Sequence, residues 1–157
     1  MSVEIRDAVV GDYAVVRSFL DVELRRDYFV TGEQLEHILS GRYHRTWLAI
    51  DEGVIVGLAI VTNAYRTLVN LLVAENARCR GIGDRLLRTA KPERIRAKMD
   101  VSAGDPRRWY VARGYRSTGE INSKGNIAIM VFDVANPPFD DVGDISSLMP
   151  LFRDLPL

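Results

Sequence analysis

The stretch T-L-V-N-L-L-V-A, Thr67 to Ala74, is followed within a few residues by R-C-R-G-I-G, Arg78 to Gly83, and then by helical spacing at Leu86, Leu87 and Ala90. A nearly all-apolar run reads as a central strand, with Asn70 as its one polar interruption. A strand that turns into a helix over two glycines places the chain in the α/β class. The corner leaves backbone N–H groups free at the helix start, and glycine lets another molecule approach that backbone closely. The helix dipole adds about half a positive charge there and Arg78 and Arg80 add full ones, so a diphosphate is a natural guest. Neither common nucleotide motif fits. The Walker lysine and Ser/Thr are missing, and Leu86 stands where a dinucleotide fingerprint needs its third glycine.

The pattern elsewhere predicts the element order strand, two helices, three strands, helix, strand, helix, two strands. Val3 to Ala8 is β-compatible, and Asp12 is placed to cap a helix carrying Val15, Val16, Phe19, Leu20 and Leu24 on its apolar stripe. Thr31 and Gln34 form a capping-box pattern ahead of Leu35, Ile38 and Leu39, with Gly41 as the stop. Thr46 to Ile50 and Val54 to Val61 read as a hairpin about Asp51-Glu52-Gly53. Pro92 closes the helix after Gly83 early. Ile95 to Ser102 resumes strand, Asp105 and Pro106 open a short helix that Gly114 ends, and Tyr115 to Ile121 and Ile127 to Val134 are the last strands.

With 157 residues the chain suits one domain of ordinary size. Its 21 basic and 21 acidic residues balance, which gives no whole-domain electrostatic grip on nucleic acid. Cys79 is the lone cysteine and His37 and His44 the only histidines, so neither an internal disulfide nor a zinc cluster is expected. No metal is called for, no apolar run is long enough for a membrane span, and the charged N-terminus does not read as a signal peptide. A cytoplasmic location is the expectation.

A second stretch, W-Y-V-A-R-G-Y from Trp109 to Tyr115, follows about thirty residues after the glycine corner. Taken together, the two stretches resemble the GNAT family of N-acetyltransferases. Arg78, Gly81 and Gly83 match the family loop Q/R-x-x-G-x-G/A, and Trp109, Tyr110, Gly114 and Tyr115 match its later F-Y-x-x-x-G-F. The resemblance covers about residues 1–134. It implies a GNAT fold of the α/β (α+β) kind: a central mixed, mostly antiparallel sheet of about six or seven strands flanked by about four helices. It implies an acyl-CoA-dependent N-acyltransferase, with acetyl-CoA as donor and a primary amine as acceptor. By the same resemblance Arg78, Cys79, Arg80, Gly81, Ile82 and Gly83 hold the CoA diphosphate, Leu71, Leu72 and Val73 pair with the pantetheine arm, and Tyr110 is the general acid. A tyrosine hydroxyl can supply the proton that a departing thiolate needs.

The chain departs from the family at Glu75, often proline, and at Cys79, often glycine. Cys79 reads as a replaced glycine rather than a nucleophile, because direct transfer to an amine needs no covalent enzyme intermediate. Glu75, Asp100, His37 and His44 are the candidates for a base, with His44 favoured. Tyr28, Phe29, Tyr43, His44 and Asn70 are candidates for the acceptor side, with the Tyr65 and Asn122 to Asn126 loops beside them. The basic stretch from Arg78 to Arg116 suggests an alternative acceptor, an amine on a nucleic-acid base; a non-catalytic CoA-binding module is a further alternative. Residues 135–157 form a tail that is expected to pack on its own domain or on a partner subunit, giving a homodimer in the second case.

Overall fold

The computed structural model describes residues 2–24, 30–99 and 104–133. Met1–Lys91 and Pro92–Leu157 form two compact units, taken in turn. Seven strands and four α-helices lie among the described residues, in the order the sequence pattern predicts.

The first unit holds β1 (Val3–Asp7), α1 (Tyr13–Glu23), α2 (Gly32–Leu39), β2 (His44–Asp51), β3 (Val54–Thr62), β4 (Thr67–Val73) and α3 (Ile82–Ala90). Its strands pair antiparallel in chain order. The β2–β3 turn is two residues long, and both Glu52 (φ 50°) and Gly53 (φ 79°) are left-handed. A primed turn of that kind matches the twist of the strands it joins. Val56 to Val61 are buried without a break, as in a strand covered on both faces. α3 lies close over β3 because Gly57 has no side chain. A Cβ there would stand 3.0 Å from Leu86 Cδ1 and 3.1 Å from Ile82 Cγ2.

The helix ends are set by named contacts. The capping box of α2 is present: Gln34 N–H donates to Thr31 Oγ1 at 3.1 Å, and Thr31 N–H to Gln34 Oε1 at 2.8 Å. Asp12 does not cap α1 as expected. Its carboxylate instead accepts both guanidinium nitrogens of Arg6 at 2.9 Å and the Val9 N–H at 2.8 Å, closing a 3-10 turn before the helix. A bidentate ion pair outcompetes a single bond to a helix N–H, and it holds the Asp12 carboxyl below its usual pKa. α3 stops where Pro92 requires. Lys91 turns left-handed (φ 46°), and the Arg66 guanidinium binds the free carbonyls of Ala90 and Lys91.

The second unit holds β5 (Arg94–Lys98), α4 (Arg107–Val111), β6 (Tyr115–Ile121) and β7 (Ile127–Phe132), with β7 paired antiparallel to both other strands. Asp105 opens α4, but one residue off the expected frame. Pro106 stands at the N-cap, while the Asp105 carboxylate accepts the Arg107 N–H at 3.0 Å and its guanidinium Nε at 2.8 Å. Gly114 (φ 97°) ends the helix as expected. β5 and β7 are shorter than the pattern predicts; residues 100–102 and 134 of those predicted strands lie outside the described residues.

Candidate functional site

The site begins in β4. Ile60 pairs with Asn70 and Val61 with Leu68, so Val69 is an extra residue that bulges the strand just before Asn70, Leu71, Leu72 and Val73. Asn70 is 8% exposed and Leu71 3%, whereas Leu72 and Val73 are half-buried. Beyond Val73 the chain makes a 3-10 turn at Glu75–Ala77 and reaches Arg78 in extended conformation. The Glu75 N–H donates to Glu23 Oε1 at 3.0 Å, a bond that the family's usual proline lacks the hydrogen to make.

From Arg78 the backbone alternates. Cys79 (φ 64°) and Gly81 (φ 77°) are left-handed, and α3 starts at Ile82. Successive N–H groups in such an alternation converge into a concave anion nest, and the first N–H groups of α3 have no intrahelical partner. A Cβ on Gly81 would meet nothing within 4 Å, so the space in front of the loop is open. Arg80 anchors the loop to the β2–β3 hairpin through Asp51 at 2.8 Å, and Arg78 Nε reaches back to the Val73 carbonyl at 3.4 Å. This donor set suits a diphosphate.

Cys79 is exposed and stands at an angle that glycine adopts freely. A left-handed residue with a side chain carries about 1–2 kcal/mol of strain, offset by the about 0.5–1 kcal/mol of entropy that glycine loses on folding. Cys79→Gly is therefore expected to raise stability by about 0.5–1 kcal/mol in urea unfolding and to leave acyl transfer intact. Loss of transfer would mean that the thiol takes part in the chemistry.

In the second unit, Tyr110 is buried completely on α4, edge-on to Trp109 (5.2 Å between centroids) and Tyr115 (6.2 Å). Its hydroxyl has no hydrogen-bond partner among the described residues, while the Tyr115 hydroxyl donates to the Pro92 carbonyl at 2.5 Å. An orphaned buried hydroxyl is uncommon and calls for an explanation. Burial, and secondarily Tyr115, pushes its pKa up, so the phenol stays protonated.

Residues 42–117 match the acetyltransferase (GNAT) domain family. In structure the chain is similar to the PaiA N-acetyltransferase of Thermoplasma acidophilum in complex with coenzyme A, at 16% identity and a TM-score of 0.67, over 84% of this chain and 99% of that one. This chain has the GNAT fold. It is also similar to the ribosomal-protein-S18-alanine N-acetyltransferase of Escherichia coli, at 13% identity and TM-score 0.64, over 83% and 93% of the two chains. A GNAT-like decarboxylase, GphF, in complex with isobutyryl-CoA is comparable, at 14% identity and TM-score 0.66 over 83% and 98%. No curated protein matches the chain by sequence.

The GNAT fold class, with its six or seven strands and about four helices, is thus the one the two sequence stretches imply. The loop residues Arg78 to Gly83 and the β4 residues Leu71 to Val73 are brought together within the first unit. Tyr43 and His44 lie elsewhere in that unit, at the start of β2. Tyr43 is exposed and stacks on His37 at 5.1 Å. His44 is half-buried, and desolvation, then the nearby His37, lowers its pKa. Tyr28, Phe29, Asp100 and the tail 135–157 lie outside the described residues. In the polar turn of the second unit, Asn122 Oδ1 accepts the N–H groups of Asn126 and Ile127, which closes the β6–β7 hairpin.

Much of the basic stretch is internally engaged. Arg80, Arg88 and Arg107 pair with Asp51, Asp84 and Asp105, and Arg85 donates to the Val3 carbonyl. From the sequence Lys98 has no role beyond this charge, but burial, then Arg96, lowers its pKa to about 7, so charged and neutral amine coexist near that pH. The sequence carried no signal for this: alternation in R-I-R-A-K-M puts Lys98 on the face of the exposed Arg94 and Arg96, opposite buried Ile95 and Ala97. Among the described residues no three His, Cys, Asp or Glu side chains gather as metal ligands would, and no helix is long and apolar enough to cross a membrane.

Proposed function

We propose that this protein is an acyl-CoA-dependent N-acyltransferase, transferring acetyl from acetyl-CoA to a primary amine by direct attack. The observation that carries the reading is the alternating loop at Cys79–Gly81, which opens into α3 with free N–H groups and clear space in front of it. The coenzyme A and isobutyryl-CoA complexes of similar structures support the same class of donor. In this proposal Arg80 to Gly83 bind the diphosphate through backbone N–H groups, and Arg78 adds charge beside it. Leu71 to Val73 offer backbone groups to the amide-bearing pantetheine arm, in the manner of an added strand.

A backbone N–H near Val73 polarises the thioester carbonyl, and the amine nitrogen attacks its carbon. The C–S bond breaks as the C–N bond forms, leaving CoA as a thiolate. Tyr110 donates to that sulfur, a role for which a dry, protonated and otherwise unpaired phenol is suited. The amine's surplus proton leaves to solvent: His44, the base candidate favoured from the sequence, pairs with Thr62 of β3, about 16 Å along that strand from the Gly57 that pairs with Val73, and is out of reach.

The test is to incubate the protein and acetyl-CoA separately with a metabolite extract, a peptide pool and DNA, and to search each by mass for an acetylated product. Acetylation in the metabolite or peptide pool, with release of CoA thiol, is the expected result. Product in the DNA arm alone would move the acceptor to a nucleic-acid amine. CoA binding without product in any pool would make the protein a non-catalytic CoA-binding module.

A further inference from the structure

A cavity of about 170 Å³ lies in the first unit, away from the glycine loop. Its walls include Ile38 and Leu39 of α2, Ala8 after β1, and His44 and Thr46 of β2. His44 and Thr46 are two apart on one strand, so both face the side of the sheet that α2 covers. His44 pairs with Thr62 and Val73 with Gly57 along the same strand β3. Five residues of β3 separate the two positions, about 16 Å.

Two buried polar atoms of this wall lack partners: His44 Nδ1 and Thr46 Oγ1 have no hydrogen bond among the described residues, and Thr46 is only 4% exposed. Burying a polar atom without a partner is costly, so a ring nitrogen and a hydroxyl two residues apart on one wall point to a partner held between them. The charges nearby are already matched. Asp7 holds the Arg45 guanidinium through two bonds of 3.0 and 3.1 Å, and that guanidinium also lies over the Trp47 ring. His44 is kept neutral by desolvation and by His37. A charged guest would therefore find no free counter-charge, whereas an uncharged one would find a donor-acceptor pair beside aliphatic walls.

We infer that this cavity is a second ligand site, separate from the glycine loop, for an uncharged molecule near benzene in size that carries a hydroxyl or amide group. A cavity of about 150 Å³ takes benzene, which sets the scale. His44 Nδ1 and Thr46 Oγ1 fix the polar end of the guest, and Ile38, Leu39 and Ala8 cover its apolar end. The inference does not depend on acyl transfer, and its readout is binding.

The experiment titrates the full chain with phenol, and in parallel with toluene, which has the same shape without the hydroxyl, while the His44 imidazole nitrogens are followed by NMR. Phenol should shift His44 saturably and bind about fivefold more tightly than toluene, the worth of one uncharged hydrogen bond. Thr46→Val should erase that preference and Thr46→Ser restore it, which separates a lost hydroxyl from a disturbed fold. Equal binding of the two probes, or no shift by either, would overturn the inference. So would a crystal structure with ordered water bonded to both atoms in the presence of phenol, because the cavity would then be hydration space.

Discussion

Tyr110→Phe should lower kcat for acetyl transfer by about 100-fold or more while raising the melting temperature or leaving it unchanged. The two effects are opposite in sign because one hydroxyl is responsible for both. General acid catalysis contributes typically 10²–10⁴-fold. In the folded chain the same hydroxyl is buried completely and bonds to nothing among the described residues, so it carries its desolvation penalty uncompensated. Removing an unsatisfied buried polar group relieves about 1–3 kcal/mol, less whatever packing the oxygen supplied to the Trp109 and Tyr115 rings. A residue that destabilises the fold and is kept for chemistry shows this trade-off. The measurements are CoA thiol release under saturating acetyl-CoA and a thermal melt of the same preparations, with the affinity for acetyl-CoA as control. A variant that melts lower and turns over normally would make Tyr110 a packing residue, and the general acid would have to be sought elsewhere.

What could be read from the sequence was whatever depends on neighbours in the chain. The capping box at Thr31 and Gln34, the hairpin about Asp51-Glu52-Gly53 and the helix stop at Pro92 are each written within a few residues, and each is found as read. Asp12 misled because its stronger partner, Arg6, arrives from the preceding strand and offers a full positive charge through two bonds where the helix start offers one backbone N–H. Thr46 drew no notice as a β-branched residue in a β run. Its significance comes from Ile38, Leu39 and Ala8, which no local pattern brings to it. The loop was legible for a different reason: its two left-handed positions demand glycine-like backbones, so the requirement surfaces in the residue types themselves. Cys79 hid half of that signal by occupying a glycine's conformation with a side chain. The orphaned state of the Tyr110 hydroxyl was not legible at all, since it follows from what surrounds the group in three dimensions.

Gly81→Ala should weaken CoA binding by about 10- to 100-fold with only a modest loss of stability. A Cβ at this position meets no protein atom within 4 Å, so the penalty within the fold is confined to backbone strain, about 1–2 kcal/mol at a left-handed angle. The loop tolerates strain of that kind one turn of chain earlier, where Cys79 sits at φ 64°. Two left-handed side-chain residues in three positions are harder to hold, and the loop can relax only by bringing position 81 itself back to a negative φ. That relaxation rotates N–H groups out of the nest, and each charge-assisted bond so lost is worth about 1.5–3 kcal/mol. Even without relaxation the new methyl stands in the open space through which a phosphate would approach the backbone. Calorimetric titration with CoA and with S-acetyl-pantetheine, which lacks the diphosphate, separates these effects from general damage. The variant should lose affinity for CoA and keep whatever weaker affinity it has for the truncated ligand. Equal losses for both would mean that the loop shapes the pantetheine end instead, and unchanged CoA affinity would remove the diphosphate from this corner.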